Sequence, residues 1–410
     1  MSRSRFLAGA GAVGAAAAGS LLAGTSASAV TQGGRAREQG GEANGDDRGT
    51  ADGAVRGTGL KYRGVCYTVG EGENPATAWS VPRMRADIRA IARDLHATSV
   101  EVTGDGVERL NATATEAAEQ GLHVWLQPTL GDRPAHEILD HLAGTGRHLE
   151  RLRRQGARAD LSVGCEFWLF VPGIVPGDNA QERIHNLMTG NYDPERMTRR
   201  LHAFTERAAA VGRSVFGGNL SYAAAQDDEV DWNLFDIVGI DYYSYFPNRA
   251  DYLRELRTYL RWGKPLAITE FGTCAYVGAP ERGGMGWDTV DYTVRPPQIK
   301  GDLVRSERTQ AAYLTELLGV FESLGLYAAM AFEFVTADAP HSAEPRYDLD
   351  MASYAIVKPV KDRFDDPRSD WHWEPKQAFH ALAGCYELGS GRRRSSERRP
   401  AASSPGRRRE

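Results

Sequence analysis

Two kinds of apolar pattern alternate along the middle of the chain. Short runs rich in β-branched and aromatic residues recur at Tyr62–Tyr67, Ser99–Thr103, His123–Gln127, Leu161–Glu166, Val215–Leu220, Ile237–Tyr242, Leu266–Glu270 and Tyr327–Phe334. Longer stretches with helical spacing lie between them: Val81–His96, Gly106–Gln120, Pro134–Gln155, Pro194–Val211, Asp251–Trp262 and Ser306–Leu324, with a last one over Pro375–Tyr386. Near-continuous short runs suit strands buried on both faces, and a three-to-four-residue period suits helices covering them. The connection after Leu220 is short, and Asp228–Phe235 supplies only a turn. Eight strands alternating with helices predict an α/β fold of the (β/α)8 TIM-barrel class, in a single domain. Helix punctuation agrees. Ser80 with Pro82 and Asp193 with Pro194 suit helix starts, and Gly121, Gly212, Gly263 and Gly325 suit helix ends. A doubly wound open sheet would carry a glycine-rich phosphate loop after an early strand, and Gly104-Asp105-Gly106 is only a fragment of one.

Composition bounds this domain. Residues 1–29 read as a secretory signal: Arg3 and Arg5, an apolar Ala/Gly-rich stretch over Phe6–Gly24, then the cleavage pattern Ala27-Ser28-Ala29. The stretch is too rich in small residues to predict stable membrane insertion. Residues 30–57 offer almost nothing to bury and read as a disordered linker, and 389–410 as a disordered basic tail with eight Arg and two Glu. The barrel therefore spans 58–388, in a protein expected outside the cell or on its wall. The formal charge of −5 overall, with +6 in that tail and +1 before residue 58, leaves about −12 on the body. An acidic body argues against nucleic acid as a partner. The tail reads as solvated or as a contact for anionic wall polymer. The four cysteines, Cys66, Cys165, Cys274 and Cys385, form no C-x-x-C pair, so no zinc site, metal or cofactor is expected. Buried thiols and disulfides remain equally open, as does the oligomeric state.

Candidate chemistry sits where barrel strands end. The run Lys264-Pro265-Leu266-Ala267-Ile268-Thr269-Glu270 delivers one carboxylate to a C-terminal rim, and Leu161-Ser162-Val163-Gly164-Cys165-Glu166 delivers another. Two glutamates at the mouth of one barrel are the equipment for retaining glycoside hydrolysis, with oxygens about 5–5.5 Å apart. One attacks the anomeric carbon; the other protonates the leaving oxygen, then activates water. The remaining rim positions predict a carbohydrate-binding surface: Tyr67, Gln127, Trp168, Asn219, Asp241, Tyr242, Tyr243, Trp287 and Glu333. Acids and amides suit sugar hydroxyls, and aromatic faces suit sugar C–H edges. Tyr242 or Tyr243 is expected to donate to the nucleophile, and burial beside Trp168 to keep the acid protonated. No His stands on this rim, so proton transfer falls to carboxylates. A barrel that has lost catalysis and only binds carbohydrate or a wall partner would show the same surface.

At Ile268-Thr269-Glu270-Phe271-Gly272 the chain resembles the clan A glycoside hydrolases. That resemblance implies a retaining (β/α)8 barrel with Glu270 as nucleophile, Glu166 as acid/base, and the tyrosine after the sixth strand against the nucleophile. The chain departs from the clan where Cys165 stands for the usual Asn, where Val100-Glu101-Val102-Thr103 offers no Arg, and where Phe332-Glu333 replaces a terminal Trp. Longer stretches resemble actinobacterial barrels labelled abortive infection proteins: Pro172–Asp178, Val230–Asp236, Arg346–Tyr354 and Trp373–Lys376.

Overall fold

The computed structural model describes residues 59–70, 77–226, 228–366 and 368–397. The expected signal and linker (1–57) lie outside the described residues. Eight parallel strands close a barrel: β1 (Tyr62–Val69), β2 (Ser99–Gly104), β3 (His123–Pro128), β4 (Ala159–Cys165), β5 (Leu220–Ala225), β6 (Val238–Asp241), β7 (Leu266–Phe271) and β10 (Ala328–Ala331). Strand β1 pairs with β2 through Val65 and Val100, and with β10 through Tyr62 and Ala328, which closes the ring. Two antiparallel hairpins, β8 (Val290–Asp291) with β9 (Gln298–Ile299) and β11 (Val357–Lys361) with β12 (Trp371–Pro375), lie outside it.

The helical layer comprises α1 (Val81–Arg93), α2 (Val107–Glu119), α3 (Ala135–Arg154), α4 (Phe167–Phe170), α5 (Ala180–Thr189), α6 (Pro194–Val215), α7 (Arg249–Leu260), α8 (Glu307–Leu324) and α9 (Gln377–Glu397). Helix α9 runs past Leu388, where the barrel was expected to end, and 398–410 lie outside the described residues. Asp193 caps α6 by accepting from the Arg196 amide, whereas Ser80 precedes α1 without a side-chain cap bond. Among the described residues no helix is long and apolar enough to cross a membrane.

Alternation along the strands divides the core in two. Val65, Val124, Leu126, Ile268 and Ala329 face the helices and join the main apolar cluster. Cys66, Trp125, Ala267, Ala328 and Met330 face inward and fill the lumen with a smaller one. The expected fifth strand over Val215–Leu220 is displaced. Helix α6 runs on through Val215, and the strand begins at Leu220. Its sequence, LSYAAA, lacks the β-branched signal that marked its neighbours. Gly212, expected to end that helix, sits inside it. A Cβ there would lie 3.0 Å from Val163 Cγ1, so the glycine lets α6 press onto β4.

The N-terminal end of the barrel is closed by a buried polar clamp. Burial holds the His123 imidazole neutral, with its pKa below the usual histidine value. Its Nε2–H then donates to Asp160 Oδ2 at 3.0 Å, and Nδ1 accepts from Ser99 Oγ at 2.9 Å. Tyr327 and Asn219 also donate to Asp160, at 2.7 and 2.9 Å, and Tyr62 stacks on the imidazole with ring centres 3.8 Å apart. The trio has the residues of a hydrolytic triad, but it is buried at the end of the barrel opposite the strand C-termini. Its work is to join β1, β2, β3, β4 and β10. His123→Ala leaves Asp160 short of a donor and should cost about 3 kcal/mol in denaturant unfolding. An unfolded chain protonates this histidine below its ordinary pKa while the folded chain resists, so wild-type stability falls as pH drops through about 6.5. The gap between wild type and variant should therefore narrow at acid pH.

Candidate active site

The C-terminal ends of the barrel strands bring Glu101, Glu166, Asp241 and Glu270 together, each at most 2 % exposed. Glu270 is placed by β7, where Leu266, Ile268 and Phe271 lock the strand into the core. Its Oε2 accepts from Tyr243 OH at 2.7 Å. Asp241 ends β6, and its Oδ1 accepts from Thr269 Oγ1 at 2.7 Å. The Cys165 thiol lies between the two, 3.6 Å from Asp241 Oδ2 and 3.9 Å from Glu270 Oε1. Glu166 follows β4 in the left-handed region, with φ +33°, and its amide donates to Ala223 O at 2.9 Å. Gly164, at φ +152°, makes this exit possible, because a Cβ there would meet the Phe167 ring at 2.3 Å. Glu166 has no hydrogen-bonded carboxylate oxygen, and Glu101 has only the weak Cys66 thiol as a donor. Glu101 lies deeper than Glu270, in register with Cys66 and Trp125.

Electrostatics follow from this enclosure. Burial first, then neighbouring acids, pushes Glu101, Glu166 and Glu270 well above the ordinary carboxyl range. Burial raises Asp241 to about 7, against the hydrogen bonds from Thr269 and Cys165. The Tyr243 hydroxyl pulls Glu270 back toward its charged form. Burial likewise raises Glu333 to about 7, although Thr68 and Thr336 donate to its two oxygens at 2.5 and 2.7 Å. The cluster therefore holds protons near neutral pH and can give them up locally.

Other expected contacts fall differently. Asn219 is at the wrong end of the barrel, in the His123 clamp, because the fifth strand starts later than its pattern suggested. Tyr242 points outward, its hydroxyl donating to Glu255 on α7 at 2.6 Å, so Tyr243 alone of the pair reaches Glu270. Tyr67 also faces the helices, donating to Asp87 on α1 at 2.9 Å, and it edges an open pocket with Trp79, Arg83, Glu333, Thr336 and Trp371. Trp168 is on α4 directly after Glu166, but it is fully buried in the main core and presents no face for stacking. Gln127 does reach the lumen, with Nε2 3.5 Å from Thr103 Oγ1 and Oε1 unpaired. Trp287 packs on the lumen cluster from above.

A roof that the pattern left unread covers the acids. It comprises residues 272–306 after β7 and 332–356 after β10. Tyr354 sets its ring edge-on to Tyr243, with centres 5.6 Å apart, and the Cys274 thiol donates to Ala352 O at 3.3 Å. Arg305 pairs with Asp348 and Asp350 at 2.9 and 2.8 Å, and the fully buried Lys376 pairs with Asp350 at 3.1 Å. Gln310 on α8 donates to the carbonyls of Thr273, Tyr354 and Ala355. Thr269, Thr336 and Tyr354 were not anticipated, since only Thr269 adjoins a recognised acid.

No family model and no curated protein sequence matches the chain. Solved structures do. One is a GH113 β-mannanase from Alicyclobacillus acidocaldarius in complex with ManMIm, at TM-score 0.53 and 15 % identity over 81 % of this chain and 99 % of that one. Two structures of GH113 β-1,4-mannanase follow, at TM-scores 0.52 and 0.51 and 13 % and 14 % identity, each over 80 % of this chain and 99 % of theirs. Identities this low carry the fold, and they agree with the closed eight-stranded barrel.

The acids make a pH-dependent demand on stability. The folded chain binds protons at Glu101 more tightly than the unfolded chain, so stability falls as pH rises from the ordinary carboxyl range toward the raised value. Glu101→Gln removes that demand. Its melting temperature should exceed wild type by roughly 2–4 °C at pH 8 and by less at pH 5. A gain larger at pH 5 would contradict the assignment.

Proposed function

We propose that this chain is a glycoside hydrolase of the retaining type, with Glu270 as nucleophile and Glu166 as general acid/base. The observation that carries the reading is the pair of unlike environments at the ends of β7 and β4. Glu270 receives the Tyr243 hydroxyl, which favours the ionised form an attacking carboxylate needs. Glu166 receives no donor and is wholly buried among acids, so it keeps the proton a leaving oxygen needs. Glu166 gives that proton to the leaving oxygen as Glu270 is glycosylated; with the charge of Glu270 then gone, Glu166 stays ionised and takes a proton from the attacking water. The excess of acids suits a transition state with positive charge on the sugar ring.

A glycoside reaches this pair only when the roof parts, since both carboxyls are sealed. Glu333 stands in the wall between the open pocket and the acids: it edges the pocket and adds to the charge that Glu270 feels. Substrate would enter there, past Trp79 and Trp371. The three neighbours described above are mannanases by name, so β-1,4-mannan and manno-oligosaccharides head the substrates to try. Export belongs to the same proposal, with Val30 the expected N-terminus of protein recovered from culture medium.

The sealed acids and the thiol at Cys165 also suit a barrel that binds carbohydrate without cleaving it. Two measurements separate the readings. Glu270→Gln and Glu166→Gln should each lower kcat at least about 1,000-fold on the best glycoside with the fold intact by circular dichroism. Sugar binding that persists with no turnover in wild type would favour the binding barrel. Azide should partly restore Glu270→Ala on an activated aryl glycoside, because a small anion can attack where the carboxylate stood. A folded Glu270→Ala protein that azide leaves inert would count against the covalent route.

A further inference from the structure

The two-glutamate reading has no use for Cys165. Its thiol is buried and reaches toward two acids from neighbouring strands. Cys165 Sγ, Asp241 Oδ2 and Glu270 Oε1 offer one ligand atom each, and one such set lies within 4.8 Å throughout. Around a tetrahedral zinc, with Zn–S about 2.3 Å and Zn–O about 2.0–2.2 Å, a sulfur–oxygen edge is about 3.6 Å. The observed sulfur–oxygen separations of 3.6 and 3.9 Å already approximate two such edges.

A second observation points to a ligand at the same place. Glu166 is fully buried, its oxygens accept no hydrogen bond, and it interacts electrostatically with Asp241 and Glu270. Every charged neighbour acting on this group is another acid. Buried carboxylates are ordinarily paired or metal-bound. Glu166 follows Cys165 in the chain but is not in the set that lies within 4.8 Å, so the fourth position is left to water. The thiol decides the class of ion. A thiolate with few oxygens favours zinc and other thiophilic ions over calcium or magnesium, which prefer six or more oxygens.

We propose that Cys165, Asp241 and Glu270 form a binding site for a thiophilic divalent cation of the zinc class, and that the bound ion silences the barrel by occupying Glu270. Binding displaces to solvent the thiol proton and any proton that Asp241 or Glu270 holds, and release of the ion frees the carboxylate. Only the silencing rests on the glycosidase reading; the binding stands apart from it.

Cadmium reports such a site directly, because a thiolate–cadmium bond adds an ultraviolet charge-transfer band. Titrating the full chain with cadmium should give one equivalent with that band, displaced by zinc. Cys165→Ser should lose the band and weaken binding at least tenfold, and Asp241→Asn should weaken binding comparably. Cys385→Ser, which alters the half-exposed thiol on α9, should change neither. Should the site variants misfold, X-ray absorption of zinc-loaded wild type decides: one sulfur at about 2.3 Å with oxygens near 2.0–2.2 Å is expected. A wild-type band that survives Cys165→Ser, no band at all, or a zinc shell without sulfur overturns the proposal. Zinc should also inhibit any glycoside turnover of wild type, and Cys165→Ser should resist it. A protein that binds cadmium yet, stripped of metal, hydrolyses nothing would refute the glycosidase reading and leave the metal site standing; a glycosidase with no band would do the reverse.

Discussion

The structure turns on the enclosure of acids at the mouth of the barrel. Glu101, Glu166, Asp241 and Glu270 share a space from which solvent is shut out, and the charges around them are negative. Charging all of them there would be prohibitive, so protons stay on the cluster at neutral pH. Which acid is charged is then set by single hydrogen bonds. Thr269 favours charge on Asp241 and Tyr243 favours it on Glu270, while Glu166 receives no such help. That inequality gives neighbouring carboxyls different holds on a proton.

Holding such a cluster needs rigidity at both ends of the barrel. At the far end, the His123 clamp satisfies Asp160 with donors from several strands. At the near end, the roof is pinned by the Arg305, Asp350 and Lys376 group, whose buried charges are paired. The contrast is physical. Asp160 is satisfied by neutral donors and Asp350 by cations, whereas the charged neighbours that act on Glu101, Glu166 and Glu270 are acids.

The thiol of Cys165 sits where the resembling clan carries an amide. An amide side chain would offer two donors to neighbouring oxygens, and a thiol offers one weak donor. The exchange removes a fixed hydrogen-bonding arm and leaves a soft ligand facing two carboxylates. The barrel is thus common in shape, yet its centre has a chemistry of its own.

Much of this was legible in the chain. Apolar periodicity set most strands and helices, because a strand buried on both faces and a helix covering it need different spacings. The run ending in Glu270 marked its rim position, since the acid closes an otherwise apolar run. Strand β5 escaped because SYAAA packs by small size rather than by branched shape, and Asn219 was misplaced with it. Helix α4 and the roof escaped because contacts across long sequence gaps, such as Tyr354 on Tyr243, leave no local pattern. Tyr242 and Tyr243 are adjacent and chemically equal in sequence; the turn after β6 alone decided which would face Glu270. The sequence by itself determined the barrel and the two glutamates, through periodicity and strand ends. Only the tertiary structure decided their protonation, their enclosure and the company of Cys165, because these depend on distances between strands that no spacing along the chain encodes.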